Sequence, residues 1–484
     1  NADSVFKACY YNAENEQPHL FKARMIQELN LEMFVEDNWD IVERLNRIVR
    51  THQPNFACWW VSNIMDSGIA YPHKALSLNQ AIDGIAFGRQ TKKTKLLVAS
   101  DFYYPHWTGL AQSFMHYLSA IQDQFSTQVR TVQFRVDLPK CSQVNKVVVW
   151  RSAALLSLSR AKLSLQYLTD VWRAAAVTDT ILVNSPSAHI AWVAAIALFR
   201  GKRLVVFHNG DLLLPKGGIN KVVEYIFDIS THFACLVAQS VGTYTQDYAK
   251  HSRILSKHLH KCRAVGIPLL PTPTKPEVTP KQAQLSTAQM AVQSAQLRTV
   301  KNLSKTYTQK QLVGFAGRFV EEKGFDILFA AIPLVLKHNP NCMFVFAGEV
   351  AMGYERFFER NEALYKAVKS HVVLLGLLDG EALEEFYRQI DIFVLPSRSD
   401  CFALVQAEAA LHQVPLVVSD IPGARDLVTT TGCGLLFTSE NHLDFAAKII
   451  QVLEQPPAYQ RKQAVADYFD YAKRTRSFKQ LLTD

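Results

Sequence analysis

The sequence predicts an α/β protein built from two doubly wound halves, with a mostly helical segment ahead of them. Three observations support this. From Lys95 the chain alternates apolar, strand-like runs with helical periodicity, and from Leu312 it does so again. Between the runs, residues 268–311 are rich in Pro, Thr, Gln and Lys and poor in large apolar groups, as a linker is. Residues 391–426, DIFVLPSRSDCFALVQAEAALHQVPLVVSDIPGARD, read in succession as strand, loop, helix and strand.

The boundaries follow from these patterns. Residues 1–94 are an N-terminal extension, 95–267 a first α/β domain, 268–311 the linker, 312–462 a second α/β domain, and 463–484 a last helix. In the extension, LEMFVEDNWDIVERLNRIV places apolar residues three and four apart, and ACWWV at 57–61 fits a short strand or a buried helix. In the first domain the expected strands are 95–100, 128–135, 180–184, 203–207 and 234–238, with a helix at 109–121. The linker carries a helix near 281–297. In the second domain the strands are 312–316, 343–347, 372–375, 392–395 and 416–419. The last helix is expected near 463–482, crossing back to the first domain.

Composition bounds the function classes. The 484 residues are 49% hydrophobic and 20% charged, as in a soluble globular protein. No apolar run reaches the length of a membrane span, and no signal-peptide pattern opens the sequence, so a cytoplasmic location is expected. The eight cysteines show no CxxC or zinc spacing and read as reduced thiols. The net charge of +9 sits in the middle of the chain, where residues 96–300 carry 21 basic and 10 acidic groups. Such an excess favours an anionic partner, and with no nucleic-acid motif present, nucleic acid is not expected.

Two short segments carry chemistry. In 391–426, Pro396 and Ser397 break the first strand, Ser399 and Asp400 are good helix caps, and a helix is expected over 402–412. A helix start at the mouth of a βαβ unit offers N–H groups to an anion. Asp400 and Glu408 flank that site, eight helical residues or about 12 Å apart. The second segment is GRFVEEKG, 317–324, directly after a strand. Gly317 permits a tight turn, Arg318 offers a planar fork to phosphate oxygens, and Lys323 offers a mobile point charge. Taken alone, Arg318 and Lys323 read as readily as surface charges, and Asp400 as a plain helix cap.

Together these segments resemble the retaining nucleotide-sugar glycosyltransferases of family 4 (group 1), whose GT-B fold joins two Rossmann-like domains. The resemblance implies that Arg318 and Lys323 neutralise the leaving diphosphate, that Glu408 accepts the ribose hydroxyls, and that Asp400 faces the transferred sugar. It places Phe402, Ala403 and Leu404 at the diphosphate, and Gly376 and Leu377 at the base. In the first domain, SDFYYPHWTGLAQ (100–112) resembles the family's first strand-loop-helix, with Thr108 and Gly109 where two glycines are usual. FHNGD (207–211) resembles its histidine-containing loop, which brings His208 near the donor sugar; a histidine satisfied within its loop is the equal alternative. His189 is a weaker candidate. The departures are Asp400 in place of Glu, and Ala403 in place of Gly.

The implied activity is transfer of a hexosyl group from a UDP- or GDP-sugar to a glycan or lipid-linked acceptor, with Asp400, His208, Arg318 and Lys323 as the catalytic set. No Asp-x-Asp triad is present, so neither a metal nor a cofactor beyond the donor is expected. Two basic stretches, 250–263 and 151–173 (the latter read as a helix), are candidates for peripheral contact with an anionic membrane. Two other readings stay open. The acceptor is a protein recognised by the N-terminal extension, or the chain is a sugar-nucleotide-binding protein without catalysis.

Overall fold

The computed structural model describes residues 10, 12, 15–54, 56–62, 71, 73–75, 78, 93–106, 109–134, 138–158, 161–214, 217–269, 278–279, 287–349, 356–378 and 380–484. Thr108 and much of the linker lie outside them. The chain divides into two units, residues 1–93 and 94–484.

In the first unit the helices Pro18–Glu28 and Trp39–Val49 accompany a three-stranded parallel sheet. Ala57–Val61 is the middle strand, so of its two readings the strand is the one realised. Asn38 caps the second helix by accepting from the Asp40 and Ile41 N–H groups. Ile26, Val42, Leu45, Val49 and Trp60 are fully buried, with the Trp39 and Trp60 rings 4.5 Å apart.

The second unit contains two large sheets. Among the described residues the first has nine strands. In spatial order they are Cys262–Ala264, Ser240–Thr243, Arg203–His208, Thr180–Ser185, Thr94–Ala99, Phe125–Val132, Val147–Ser152, Cys141–Val144 and Val278–Thr279. All are parallel except the last two pairings. The other sheet has six parallel strands, in the order Val372–Gly376, Cys342–Ala347, Gln311–Ala316, Ile392–Leu395, Leu416–Ser419 and Gly434–Phe437. Each sheet winds outward in both directions from its first strand. The order reverses between Thr94–Ala99 and Thr180–Ser185 in one, and between Gln311–Ala316 and Ile392–Leu395 in the other. In such sheets ligands bind at the carboxyl ends of the strands at that reversal.

Two segments of the first half differ from the sequence reading. Residues 234–238 are the end of the helix Gly218–Val237, and the strand follows at Ser240–Thr243; a short apolar run fits a buried helix as well as a strand. Residues 151–173 are not one helix. They run from a strand through the antiparallel pair Leu156–Leu158 and Ala161–Leu163 into the helix Leu165–Ala175. Arg151 is buried and donates to the Tyr104 carbonyl (2.8 Å) and Ser142 Oγ (2.7 Å), so it belongs to the core.

The described parts of 268–311 are also structured. Val278–Thr279 adds a strand to the first sheet, and the helix Thr287–Lys301 packs on the helix Gly380–Gln389. At the C-terminus there are two helices, Lys462–Tyr468 and Tyr471–Thr483, the second capped by Asp470. That second helix lies against the first half: Phe478 stacks on Tyr117 (4.4 Å between centroids), and Leu481 occupies the space a side chain at Gly242 would need.

Candidate functional site

The loops after Gln311–Ala316 and Ile392–Leu395 leave adjacent strands, so 317–324 and 396–403 meet. Gly324 has φ +64°, and a Cβ there would lie 1.9 Å from the Pro396 carbonyl oxygen. Only glycine allows the two loops to approach this closely. Arg398 then ties them together. Its N–H donates to the Glu322 carbonyl (2.8 Å), and its guanidinium donates to the Glu321 carbonyl (2.7 Å), both Asp326 oxygens (2.9 and 2.8 Å) and Glu440. These carboxylates hold the Arg398 pKa above its ordinary value.

Within this junction Lys323 donates to both oxygens of Asp400, at 2.8 and 3.0 Å. Both side chains are largely buried, 14% and 10% exposed. Burial disfavours the ammonium, but the carboxylates of Asp400 and Glu322 outweigh it, so the Lys323 pKa is raised. Arg318 is close enough to oppose that shift. The structure therefore brings Arg318, Lys323 and Asp400 together. Asp400 is not the helix cap: the helix is Leu404–Leu411, preceded by Ala403, with no side chain capping it. The helix begins two residues later than the sequence suggests, leaving Phe402 and Ala403 in the loop.

Glu408 lies on that helix, partly buried, and accepts from the Tyr387 hydroxyl at 2.8 Å. Burial raises its pKa, and the tyrosine bond offsets part of the rise. Ser397 Oγ and both polar atoms of the Gln406 amide are buried without a hydrogen-bond partner. Nothing in the sequence pattern singled out Tyr387 or Gln406, and Ser397 stood out only as a strand breaker. Gly376, with φ +73°, ends its strand, and Leu377 is 53% exposed. The Leu377 carbonyl accepts from Gln296 Nε2 at 2.8 Å, so the helix Thr287–Lys301 reaches this edge.

The first half closes over the site. Gly109, at the start of its helix, is where a Cβ would sit 3.8 Å from Leu404. A Cβ at Gly210 would be 3.5 Å from Cys401, and the Tyr244 ring stacks on Phe402. Arg425 grips Asp247 with two bonds of 2.9 Å, joining the halves. His208, expected near the donor sugar, lies in the first half. It is fully buried, with Nδ1 against Ser185 Oγ and Nε2 against Asp211, both at 3.0 Å. Both ring nitrogens are thus bonded inside the first half, where His208 helps to hold its loop. His189 is likewise held between Asp101 and the Ser164 N–H.

Lys261 also departs from the expectation of a surface cation. Its ammonium donates to the carbonyls of Cys235, Leu236 and Ala238, closing the end of the Gly218–Val237 helix. Among the described residues no cluster of three or more His, Cys, Asp or Glu is arranged to hold a metal ion, and no helix is long and apolar enough to cross a membrane.

Comparison with known proteins places this geometry. Residues 298–467 match the family model described as glycosyl transferases group 1. Glycogen synthase of Mycobacterium tuberculosis is 31% identical over 152 residues, 31% of this chain and 36% of that protein. D-inositol 3-phosphate glycosyltransferase of Segniliparus rotundus is 29% identical over 150 residues, 30% of this chain and 33% of that one. The chain thus spans about a third of the length of the curated relatives it matches. HepE of Anabaena, solved with UDP and glucose, superposes with a TM-score of 0.61 at 16% identity, covering 81% of this chain and 99% of its own. The catalytic domain of starch synthase IV from Arabidopsis thaliana, solved with ADP and acarbose, gives 0.56 at 15%, covering 80% and 99%. Residues 298–467 therefore carry the likeness to group 1 glycosyltransferases, and the two doubly wound halves that contain them have the GT-B fold.

Proposed function

We propose that the protein is a retaining hexosyltransferase, taking its sugar from a UDP- or GDP-sugar and delivering it to a glycan or lipid-linked acceptor. The observation that carries this reading is the convergence of Arg318, Lys323 and Asp400 at the strand-order reversal of the second sheet, beside a helix with no side-chain cap. Cations and uncapped helix N–H groups suit a diphosphate. Glu408, about one turn along the helix, suits the ribose hydroxyls. HepE, solved with UDP and with UDP-glucose, supports a uridine donor, while the starch synthase IV domain was solved with ADP.

In this reading the acceptor oxygen bonds to the anomeric carbon as the bond from that carbon to the diphosphate breaks. The acceptor proton passes to the departing diphosphate oxygen on the same face, so no side chain is required as base. Arg318 and Lys323 stabilise the charge that grows on the leaving group. Asp400 contributes at the sugar end, once donor binding draws Lys323 towards phosphate. No metal or cofactor enters the proposal, and a cytoplasmic site of action goes with a nucleotide-sugar donor.

A panel of UDP-, GDP- and ADP-sugars tests it, read by thermal shift and by slow donor hydrolysis without acceptor. One sugar nucleotide should stabilise the protein and be hydrolysed with release of the same anomer. Binding without any hydrolysis or transfer would favour a non-catalytic sugar-nucleotide-binding protein.

A further inference from the structure

The helices Leu165–Ala175, Ile190–Phe199 and Gly218–Val237 connect successive parallel strands of the first sheet in one direction, so they lie side by side on one face. Their inward sides pack on the sheet. Their outward sides should be polar, as in any surface helix. They are not. On Gly218–Val237 the residues Ile219, Val222, Ile226, Ile229, Phe233 and Leu236 recur at intervals of three and four, and all are exposed, Ile219 by 82%. The adjoining helix exposes Trp192 (64%), Leu198 and Phe199 (78%). Apolar faces of this extent on a soluble fold mark a docking surface.

The exposed charge on the two helices is basic, while at the far end the exposed Asp484 pairs with Arg263 and acts on Arg203. Lys221 is the exposed charged residue of the long helix. Its two acids, Glu224 and Asp228, are largely buried and paired with Arg253. At the far end an open depression of about 390 Å³ lies between Leu198 and Val237, with Lys202 and Arg203 on its wall. Lys250 and Lys257 are exposed nearby in the chain. We infer that the outer face of the Ile190–Phe199 and Gly218–Val237 helices docks on an anionic lipid surface, with its apolar side chains at the acyl boundary and Lys221, Lys202 and Arg203 at headgroup phosphates. Aromatic side chains beside cations suit that boundary. A second copy of the chain fits less well, because a two-fold contact would set one basic rim against the same basic rim. The inference goes beyond the transfer reading and does not depend on it.

Flotation of the whole chain with phosphatidylcholine vesicles, with and without 30% (roughly) phosphatidylglycerol, tests it. The protein should float with the anionic vesicles and stay behind with the neutral ones, and the bound fraction should fall as salt rises. Ile226→Glu with Ile229→Glu should cut binding about tenfold or more, and Lys221→Glu or Phe199→Ser should weaken it. All these positions are solvent-facing, so melting temperatures should hold. Thermal shift by UDP on the same samples reads the donor site separately. Loss of that shift in the parent protein would count against the transfer reading alone. No flotation with either vesicle at low salt overturns the inference. So does a concentration-dependent dimer by sedimentation that the Glu variants dissolve without any vesicle binding in the parent.

Discussion

Lys323 and Asp400 form one ion pair, with both carboxylate oxygens within 3.0 Å of the ammonium, although they lie 77 residues apart and serve opposite ends of the proposed donor. The pair preorganises both groups, and it sets up a competition. A diphosphate that takes Lys323 frees Asp400 for the sugar.

Removing one partner leaves the other buried and uncompensated. Lys323→Ala should therefore destabilise the fold by roughly 3–5 kcal/mol, the cost of breaking a buried pair. Adding Asp400→Asn should recover most of that stability while turnover stays low. Arg318→Ala should lower turnover by about 100-fold without a comparable change in melting. Should the Lys323→Ala, Asp400→Asn double variant recover activity along with stability, neither residue touches the reaction.

Arg398 gives a second prediction. It contacts no expected donor atom, yet it joins 321–326 to 396–400 and to Glu440. Arg398→Ala should cost about 1.5–3 kcal/mol for each charge-assisted bond lost from the buried side, and should reduce kcat by loosening Lys323 and Asp400. Lysine lacks the planar fork that meets Asp326 with two bonds, so Arg398→Lys should rescue poorly. An unchanged kcat in a folded Arg398→Ala variant would show that the loops keep their register without it.

The sequence made the architecture legible because strand and helix periods differ, and the break between the halves was visible in composition. It made Arg318, Lys323, Asp400 and Glu408 legible because two short segments held them at fixed spacing. It could not show that Lys323 and Asp400 pair, since that contact depends on two loops meeting at adjacent strands. Arg398 looked like any loop cation, because its acceptors come from Glu321, Asp326 and Glu440, remote in sequence. Nor could the sequence show that His208 bonds Ser185 and Asp211, since those contacts come from a strand apart in sequence and from the loop that follows. Residues 234–238 were read as a strand because a buried apolar run has no period to distinguish it.

Glu408 predicts a pH dependence. Its folded pKa is raised above the ordinary glutamate value of about 4.3. As pH falls through the raised value the carboxylate gains a proton and stops accepting both ribose hydroxyls, so nucleotide affinity should fall there. The effect on the unliganded fold has the opposite sign: the stability tied to Glu408 is present at low pH and is lost as pH rises through that value. Tyr387→Phe removes the bond that holds the pKa down, so the loss of affinity should move to higher pH. Glu408→Gln should abolish this part of the profile. Calorimetric titration of UDP between pH 4.5 and 8 decides it, and a flat profile in the parent would remove Glu408 from the ribose.

Asp247 and Arg425 predict how the halves hold together. Their two-bonded contact crosses the cleft, and Asp247 also accepts from the Gly423 N–H. Gly423 has φ +87° and packs on the Asp400 and Cys401 carbonyls, so the bridge ends directly beneath the proposed sugar site. Burial would raise the Asp247 pKa, but Arg425 outweighs it and the net shift is downward. The stability that the bridge contributes is therefore present above the ordinary aspartate value of about 3.9 and is lost only as pH falls below it. From pH 5 to 8 closure should be constant. Arg425→Ala should open the cleft, seen as a larger radius of gyration in solution scattering without nucleotide. It should raise the KM for donor more than it lowers kcat, because the closed form is then reached only at the expense of binding. Added sugar nucleotide should restore the compact form. If Arg425→Ala is as compact as the parent and binds donor equally well, closure rests on the Tyr244–Phe402 and Gly210–Cys401 contacts instead, and enlarging Gly210 becomes the variant that should prop the cleft open.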